Sequence, residues 1–255
     1  MSCALGLLSA AQSPVIPHDA DALQALVRAY PGYLVPTVKP NTISWKDGTE
    51  MLFDDGVRKT DFEDMLNRAS LKDQMSMPYP RSWPTGAPDA NADPGRARND
   101  AFFQKMYGDS PKQVQSNLLR VEWLGGATVL FTKVNGAARA LRQVREELQT
   151  LPPEVQRHVS NPAGTFSWRS ISGTTRLSMH SFGAAIDFQL PQEVCRYWKW
   201  DTPAANGSPA YPVSILEDAA LKQVVEVFER HGFIWGGKWF HYDTMHFEYR
   251  PELAN

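Results

Sequence analysis

The sequence predicts an α+β fold: a small antiparallel sheet flanked by helices, with the clearest pattern in the second half of the chain. Two segments carry strong helical periodicity. Ala137, Leu141, Val144, Leu148 and Leu151 share one face, and so do Leu221, Val224, Val225 and Phe228. Between and after them lie short apolar runs of strand length, such as 185–188 and 233–235, bounded by glycine turns. Helices and strands mix without a regular βαβ alternation, which argues against a doubly wound sheet.

Taken in order, residues 1–12 hold a short apolar run ending in Ser9-Ala10-Ala11. No basic residue precedes it inside the chain, so it reads either as the remnant of a secretory signal or as a disordered tail. Residues 13–134 form an N-terminal region of open role. Within it, Leu23, Leu26, Val27 and Tyr30 mark a helix over 19–30, stopped by Pro31-Gly32. Strand pieces follow over 35–53, broken by the turns at Asp47-Gly48 and Asp54-Asp55-Gly56. Asp61 is a candidate N-cap for a short helix with Phe62, Met65, Leu66 and Ala69 on its face. Residues 75–94 contain Pro78, Pro80, Pro84, Pro88 and Pro94, so an irregular loop is expected, either a linker or a lining for a site. Helices are expected over 101–107 and 111–119, and strands over 121–124 and 128–134.

A second unit is expected over 135–255. Its first helix ends at Pro152-Pro153, and a strand carrying Arg169 is expected over 164–171. Ser214 and Glu217 have capping-box spacing at the start of the second helix, and Gly232 suits its C-terminal cap. Residues 233–235 read as a buried strand, 236–237 as a turn and 239–249 as the closing strand and loop.

Composition limits the function classes. The formal net charge is −2, which gives no basis for wrapping a polyanion such as nucleic acid. The two cysteines, Cys3 and Cys195, argue against a disulfide framework, and no Cys-x-x-Cys pair offers a thiolate metal site. No stretch is long and apolar enough to span a bilayer.

The chemistry concentrates in Ser178-Met-His180-Ser-Phe-Gly183-Ala-Ala-Ile-Asp187. Imidazole and carboxylate are both good ligands for divalent zinc. Asp243-Thr-Met-His246 supplies another histidine with an acid three residues before it. Two histidines and one carboxylate leave a fourth zinc position open, as catalytic sites do; structural sites close all four. Asp187 lies on an otherwise apolar run, where burial without a cationic partner is costly. Gly183 reads as a close-packing position and Glu248 as a partner of a ligand. Ser178 either touches substrate or caps a turn. His241 reads either as a group that touches substrate or supports a ligand, or as an exposed surface residue, and surface exposure is the favoured expectation. His231 falls at a helix C-terminus, where the dipole favours a cation. His18 and His158 have no pattern around them.

Ser178-x-His180-x-x-Gly183-x-Ala185-x-Asp187, followed by Asp243-x-x-His246-Phe247-Glu248, resembles the M15 family of zinc peptidases. These are bacterial and phage D-alanyl-D-alanine carboxypeptidases and dipeptidases, and L-alanyl-D-glutamate endopeptidases. The resemblance begins near Ala138 and leaves the N-terminal half as an extension. It implies a Hedgehog/DD-peptidase-like catalytic fold, one zinc ion held by His180, Asp187 and His246, and a catalytic acid at Asp243. Family members use Glu or Asp there. It also implies an upstream arginine that grips substrate or stabilises the oxyanion; Arg169 in Ser167-Trp-Arg-Ser170 is the best match and Arg176 competes with it. The implied substrates are peptidoglycan stem peptides, the implied location is periplasmic or otherwise extracytoplasmic, and a monomer is expected. D,D-carboxypeptidase activity is favoured. The alternatives are an L-alanyl-D-glutamate endopeptidase and a non-catalytic zinc-containing wall-binding module.

Overall fold

The computed structural model describes residues 19–37, 39–171, 173–202 and 211–254. The candidate signal remnant at 1–12 lies outside them. Helix α1 (Asp19–Ala29) buries Ala22, Leu23, Leu26 and Val27, the face its periodicity marks. Strands β1 (Thr42–Ser44) and β2 (Glu50–Leu52) form a hairpin, and Asp47 Oδ1 accepts the Thr49 N–H (3.0 Å) in its turn. Helix α2 (Phe62–Asn67) starts at Asp61, whose side chain accepts the Asp64 N–H, as its sequence position requires. A capping box of Ser70 and Asp73 starts α3 (Leu71–Met75). The proline-rich segment is irregular up to α4 (Asp100–Tyr107).

Helix α5 (Pro111–Ser116) is shorter than expected, because Leu118 already pairs with Thr132 across the hairpin of β3 (Leu118–Glu122) and β4 (Thr128–Thr132). Helix α6 (Ala137–Leu148) buries Ala137, Leu141, Val144 and Leu148. The short α7 (Pro153–Gln156) leads into β5 (Pro162–Gly164). The strand expected over 164–171 is absent. Its polar groups are used elsewhere: the Arg169 N–H donates to Ser181 Oγ (2.9 Å), Ser181 Oγ donates to the Arg169 carbonyl (2.8 Å), and the Ser167 N–H donates to the His180 carbonyl (3.1 Å).

Strand β6 (Ala185–Phe188) is followed by α8 (Trp198–Asp201), α9 (Val213–Glu217) and α10 (Ala219–Arg230). The Ser214–Glu217 capping box does not form. Ser214 Oγ donates to the Glu193 carbonyl (2.6 Å), and the long helix starts afresh where Asp218 accepts the N–H groups of Ala220 and Leu221. The expected periodic face stands: Leu221, Val224, Val225 and Phe228 are buried, each contributing roughly 1.5–3 kcal/mol by leaving water. Strand β7 (Phe233–Trp235), β8 (His246–Tyr249) and the closing turn α11 (Pro251–Ala254) complete the chain.

The main sheet is antiparallel in the order β5-β6-β8-β7. One face packs on α6, α10 and the β3–β4 hairpin through Phe188, Phe228, Phe233 and Phe247. A second core joins α1, α3 and α4 to Met179, Phe182, Ala185, Ile234 and Leu253, so N-terminal and C-terminal residues share it. No described helix is long and apolar enough to cross a membrane.

Candidate metal centre and cleft

Strand register places the first two donors. β6 pairs with β8 so that Asp187 stands opposite His246, and the alternating direction of side chains puts both on one face. The third comes from a 3₁₀ turn over Met179–Phe182, started by Ser178, whose Oγ accepts the His180 N–H (3.3 Å). Gly183 ends the turn at φ +62°, and a Cβ there would lie 2.4 Å from Leu118 Cδ2. Left-handed backbone and lack of space both demand glycine, and the close packing brings the β3–β4 hairpin against the turn.

His180 Nε2, His246 Nδ1 and the Asp187 carboxylate converge. His180 Nε2 lies 3.3 Å from His246 Nδ1 and 3.1 Å from Asp187 Oδ2; His246 Nδ1 lies 2.8 Å from Asp187 Oδ1. A tetrahedral ion bonded at about 2.0–2.1 Å needs donors roughly 3.3 Å apart. The tautomers also fit a cation. His180 Nδ1 faces the Thr165 carbonyl at 2.7 Å, which can only accept, so Nδ1 carries the proton and Nε2 a lone pair. His246 Nε2 faces Glu248 Oε1 at 2.9 Å, so in the neutral ring Nδ1 likewise carries a lone pair. Two imidazole lone pairs and a carboxylate then point at one place, an arrangement that only a positive charge satisfies. Without an ion, a proton on His246 Nδ1 answers the same demand: burial works against the charged ring, yet its hydrogen bonds to Asp187 and Glu248 raise its pKa to about 10. Burial likewise opposes ionisation of Asp187, yet the two histidines hold its carboxyl far below the usual range. These three residues could hold a metal ion.

Behind His246 runs a buried ionic chain. Glu248 Oε2 accepts from Arg250 Nη1 (3.3 Å), Arg250 Nε donates to Glu252 (2.6 Å), and Tyr30 Oη donates to Glu252 (2.7 Å). Arg98 Nη1 lies 3.6 Å from Glu248 Oε1. Despite full burial, the hydrogen bond from His246 and the guanidiniums of Arg98 and Arg250 lower the Glu248 pKa to about 2. The orientation of one candidate ligand thus depends on residues from the first hundred positions.

Asp243 is set by a tight loop. Its N–H donates to the Gly236 carbonyl (3.0 Å), and a Cβ on Gly236 would sit 2.6 Å from the Asp243 carbonyl oxygen. The carboxylate lines the same cleft as the three donors, and its Oδ1 is buried with no hydrogen-bond partner. Burial raises its pKa to about 6, with the Asp187 charge adding to the rise and His246 and His180 opposing it. A carboxyl poised near neutrality, with the Met245 backbone hydrogen bond on it and Oδ1 left unpartnered, is equipped to exchange a proton with a bound molecule.

The cleft has a volume of about 640 Å³. Arg169 lines it but is exposed and lies off any strand. Arg176 and Ser178 line it and are buried; the Ser178 hydroxyl caps the His180 turn. His241 departs from the surface expectation. Its Nδ1 lies 2.6 Å from Oδ2 of the fully buried Asp93, and its ring stacks on Phe62 with centroids 5.6 Å apart. Asp93 and Arg96 come from the end of the proline-rich segment and just beyond, which therefore lines the cleft. Neither residue was legible beforehand, because no spacing tied Asp93-Pro-Gly-Arg96 to the histidine motifs. His158, unpatterned in sequence, is buried against Asp218 (3.1 Å).

Residues 172–249 match a family model described as D-alanyl-D-alanine carboxypeptidase. No curated protein and no solved structure gives a significant match. The matched segment runs through His180, Asp187, Asp243 and His246, and it supports a peptidase of the M15 kind.

Proposed function

We propose that this chain is a zinc-dependent peptidase that hydrolyses peptidoglycan stem peptides outside the cytoplasm, as a D,D-carboxypeptidase. The observation that carries the reading is the convergence of three donor atoms beside Asp243, a buried carboxylate whose Oδ1 has no hydrogen-bond partner. His180, Asp187 and His246 would hold the ion. When bound, zinc supplies the Lewis acid that polarises the scissile carbonyl and acidifies water. Asp243 accepts a proton at its carboxylate oxygen from the attacking water and returns it to the leaving amine. The Thr165 carbonyl and Glu248 hold the outward ring nitrogens of the two histidines, fixing their tautomers and aim. Arg169 stands at the cleft wall, where a guanidinium can steady the developing oxyanion.

The test is digestion of purified peptidoglycan with the metal-loaded protein, reading the products by mass spectrometry. Release of the terminal D-alanine is expected. Cleavage between L-alanine and D-glutamate would replace the carboxypeptidase with an endopeptidase, and an absence of any cleavage would leave a wall-binding module.

Glu248→Gln keeps the side chain's size and removes its charge. It is expected to weaken zinc binding about 10–100-fold, because His246 loses its anionic partner. It is also expected to lower stability by about 3–5 kcal/mol, because Arg98 and Arg250 stay buried near it. Competition with a chelator and denaturant unfolding measure the two. A variant with parental values for both would remove Glu248 from the positioning role.

A further inference from the structure

The cleft contains more positive charge than the proposed chemistry uses. Four arginines and Lys199 line it against four carboxylates. Three of those, Asp187, Asp243 and Glu248, belong to the donor cluster and its surroundings, leaving Glu63. A bound divalent ion would add two further positive charges.

The least compensated cation is Arg176. Its side chain lines the cleft, yet the residue is only 5% exposed. Its Nη1 donates to the Arg96 carbonyl (3.1 Å), and its Nε is buried with no acceptor. Among the described residues no carboxylate forms an ion pair with it; Asp100 and Glu63 act on it only at longer range. The strongest charged influences on it are two more guanidiniums, Arg98 and Arg96. Burial and these like charges lower its pKa to about 10. Arg98 is 4% exposed, also has a buried Nε without an acceptor, and donates through Nη2 to the Leu177 carbonyl (2.9 Å). Its contact with Glu248 places this cluster next to His246. Arg96 reaches Asp93 only at 3.5 Å, and its guanidinium lies over the Trp239 ring, 5.8 Å from the centroid. Burying an unpaired charge beside like charges is expensive, and such groups persist where a ligand completes them.

We propose that Arg176 and Arg96, with Arg98 behind them, form a carboxylate-binding subsite that takes the free C-terminal carboxylate of the peptide substrate. The inference rests on the peptidase reading and deepens it. A planar guanidinium binds a carboxylate through two parallel hydrogen bonds, which a neutral amide cannot match. A subsite of this kind beside the donor cluster favours cleavage of the last peptide bond over an internal one. Two of its three arginines come from the region ahead of the family match, which assigns that region a part in substrate selection.

The test compares N-acetyl-D-alanine with N-acetyl-D-alaninamide as calorimetric titrants of the zinc-loaded full chain and of Arg176→Gln. Neither probe contains a D-alanyl-D-alanine bond, so binding is read apart from peptidase activity. The parental protein is expected to prefer the acid by about 10–100-fold. Arg176→Gln is expected to lose most of that preference while keeping its zinc. Arg176→Gln removes an unpaired buried charge and is expected to melt no lower than the parent; Arg96→Gln, at the cleft wall, is a second variant expected to reduce the preference. An acid preference that persists unchanged in both variants overturns the subsite. A protein that cleaves wall peptides with equal affinity for acid and amide overturns the subsite alone. One that prefers the acid through Arg176 but cleaves no wall peptide overturns the peptidase reading alone.

Discussion

Asp243→Asn is expected to keep the fold and the metal while slowing hydrolysis by about 10²–10⁴-fold, the usual contribution of a positioned proton acceptor. Asparagine has the same shape and cannot take the proton. The same substitution is expected to stabilise the metal-free protein. Folding raises the Asp243 pKa from 3.8 to about 6, so the folded state holds this proton more tightly than the unfolded chain. Stability is therefore lost as pH rises between those values, and by neutral pH the penalty is about 2–3 kcal/mol. Asparagine removes that penalty, and the gain should vanish below about pH 4, where both states carry the proton. Activity follows the opposite sign: the base form is present above about pH 6 and fades below it, and a bound cation would move this limb lower. Rates on wall fragments, zinc content and chelator-treated melts at two pH values measure all of this. Cleavage at the parental rate would make another group the base, with Glu248 next to be tested. Loss of zinc would make Asp243 a ligand.

His180→Ala, Asp187→Ala and His246→Ala should each remove the single zinc and, with it, activity. The three donors lie within 4.8 Å of one another, so each deletion removes one of the three protein ligands. Because the metal binds only the folded arrangement, it stabilises the parental chain by about 4 kcal/mol at a thousandfold excess over its Kd. The melting temperature of the parent should rise on zinc addition and that of the variants should not. Elemental analysis showing full occupancy in all three would break the assignment.

Some of this was written in local sequence. Helices α1, α6 and α10 repeat apolar residues at helical spacing, and the structure buries those same faces. The apolar run around Asp187 anticipates strand β6, and Gly183 reads as a close-packing position; its left-handed backbone at the end of the His180 turn was supplied by the structure. Where competing local signals existed, sequence misled. Ser214 resembled a cap, but Asp218 sits closer to the apolar repeat and captured the helix start.

The sequence by itself determined the donor types, their order along the chain and the helices that frame the sheet. Only tertiary structure decided how they face one another: the β6–β8 register that sets Asp187 opposite His246, the burial of Asp243 Oδ1 without a hydrogen-bond partner, and the burial of Arg176 beside Arg96 and Arg98. The physical reason is range. Helical periodicity and turn chemistry depend on residues a few positions apart, whereas a buried charge is defined by everything packed around it. Asp93 meets His241 across 148 positions, and Tyr30 meets Glu252 across 222, separations at which no local pattern records the pairing.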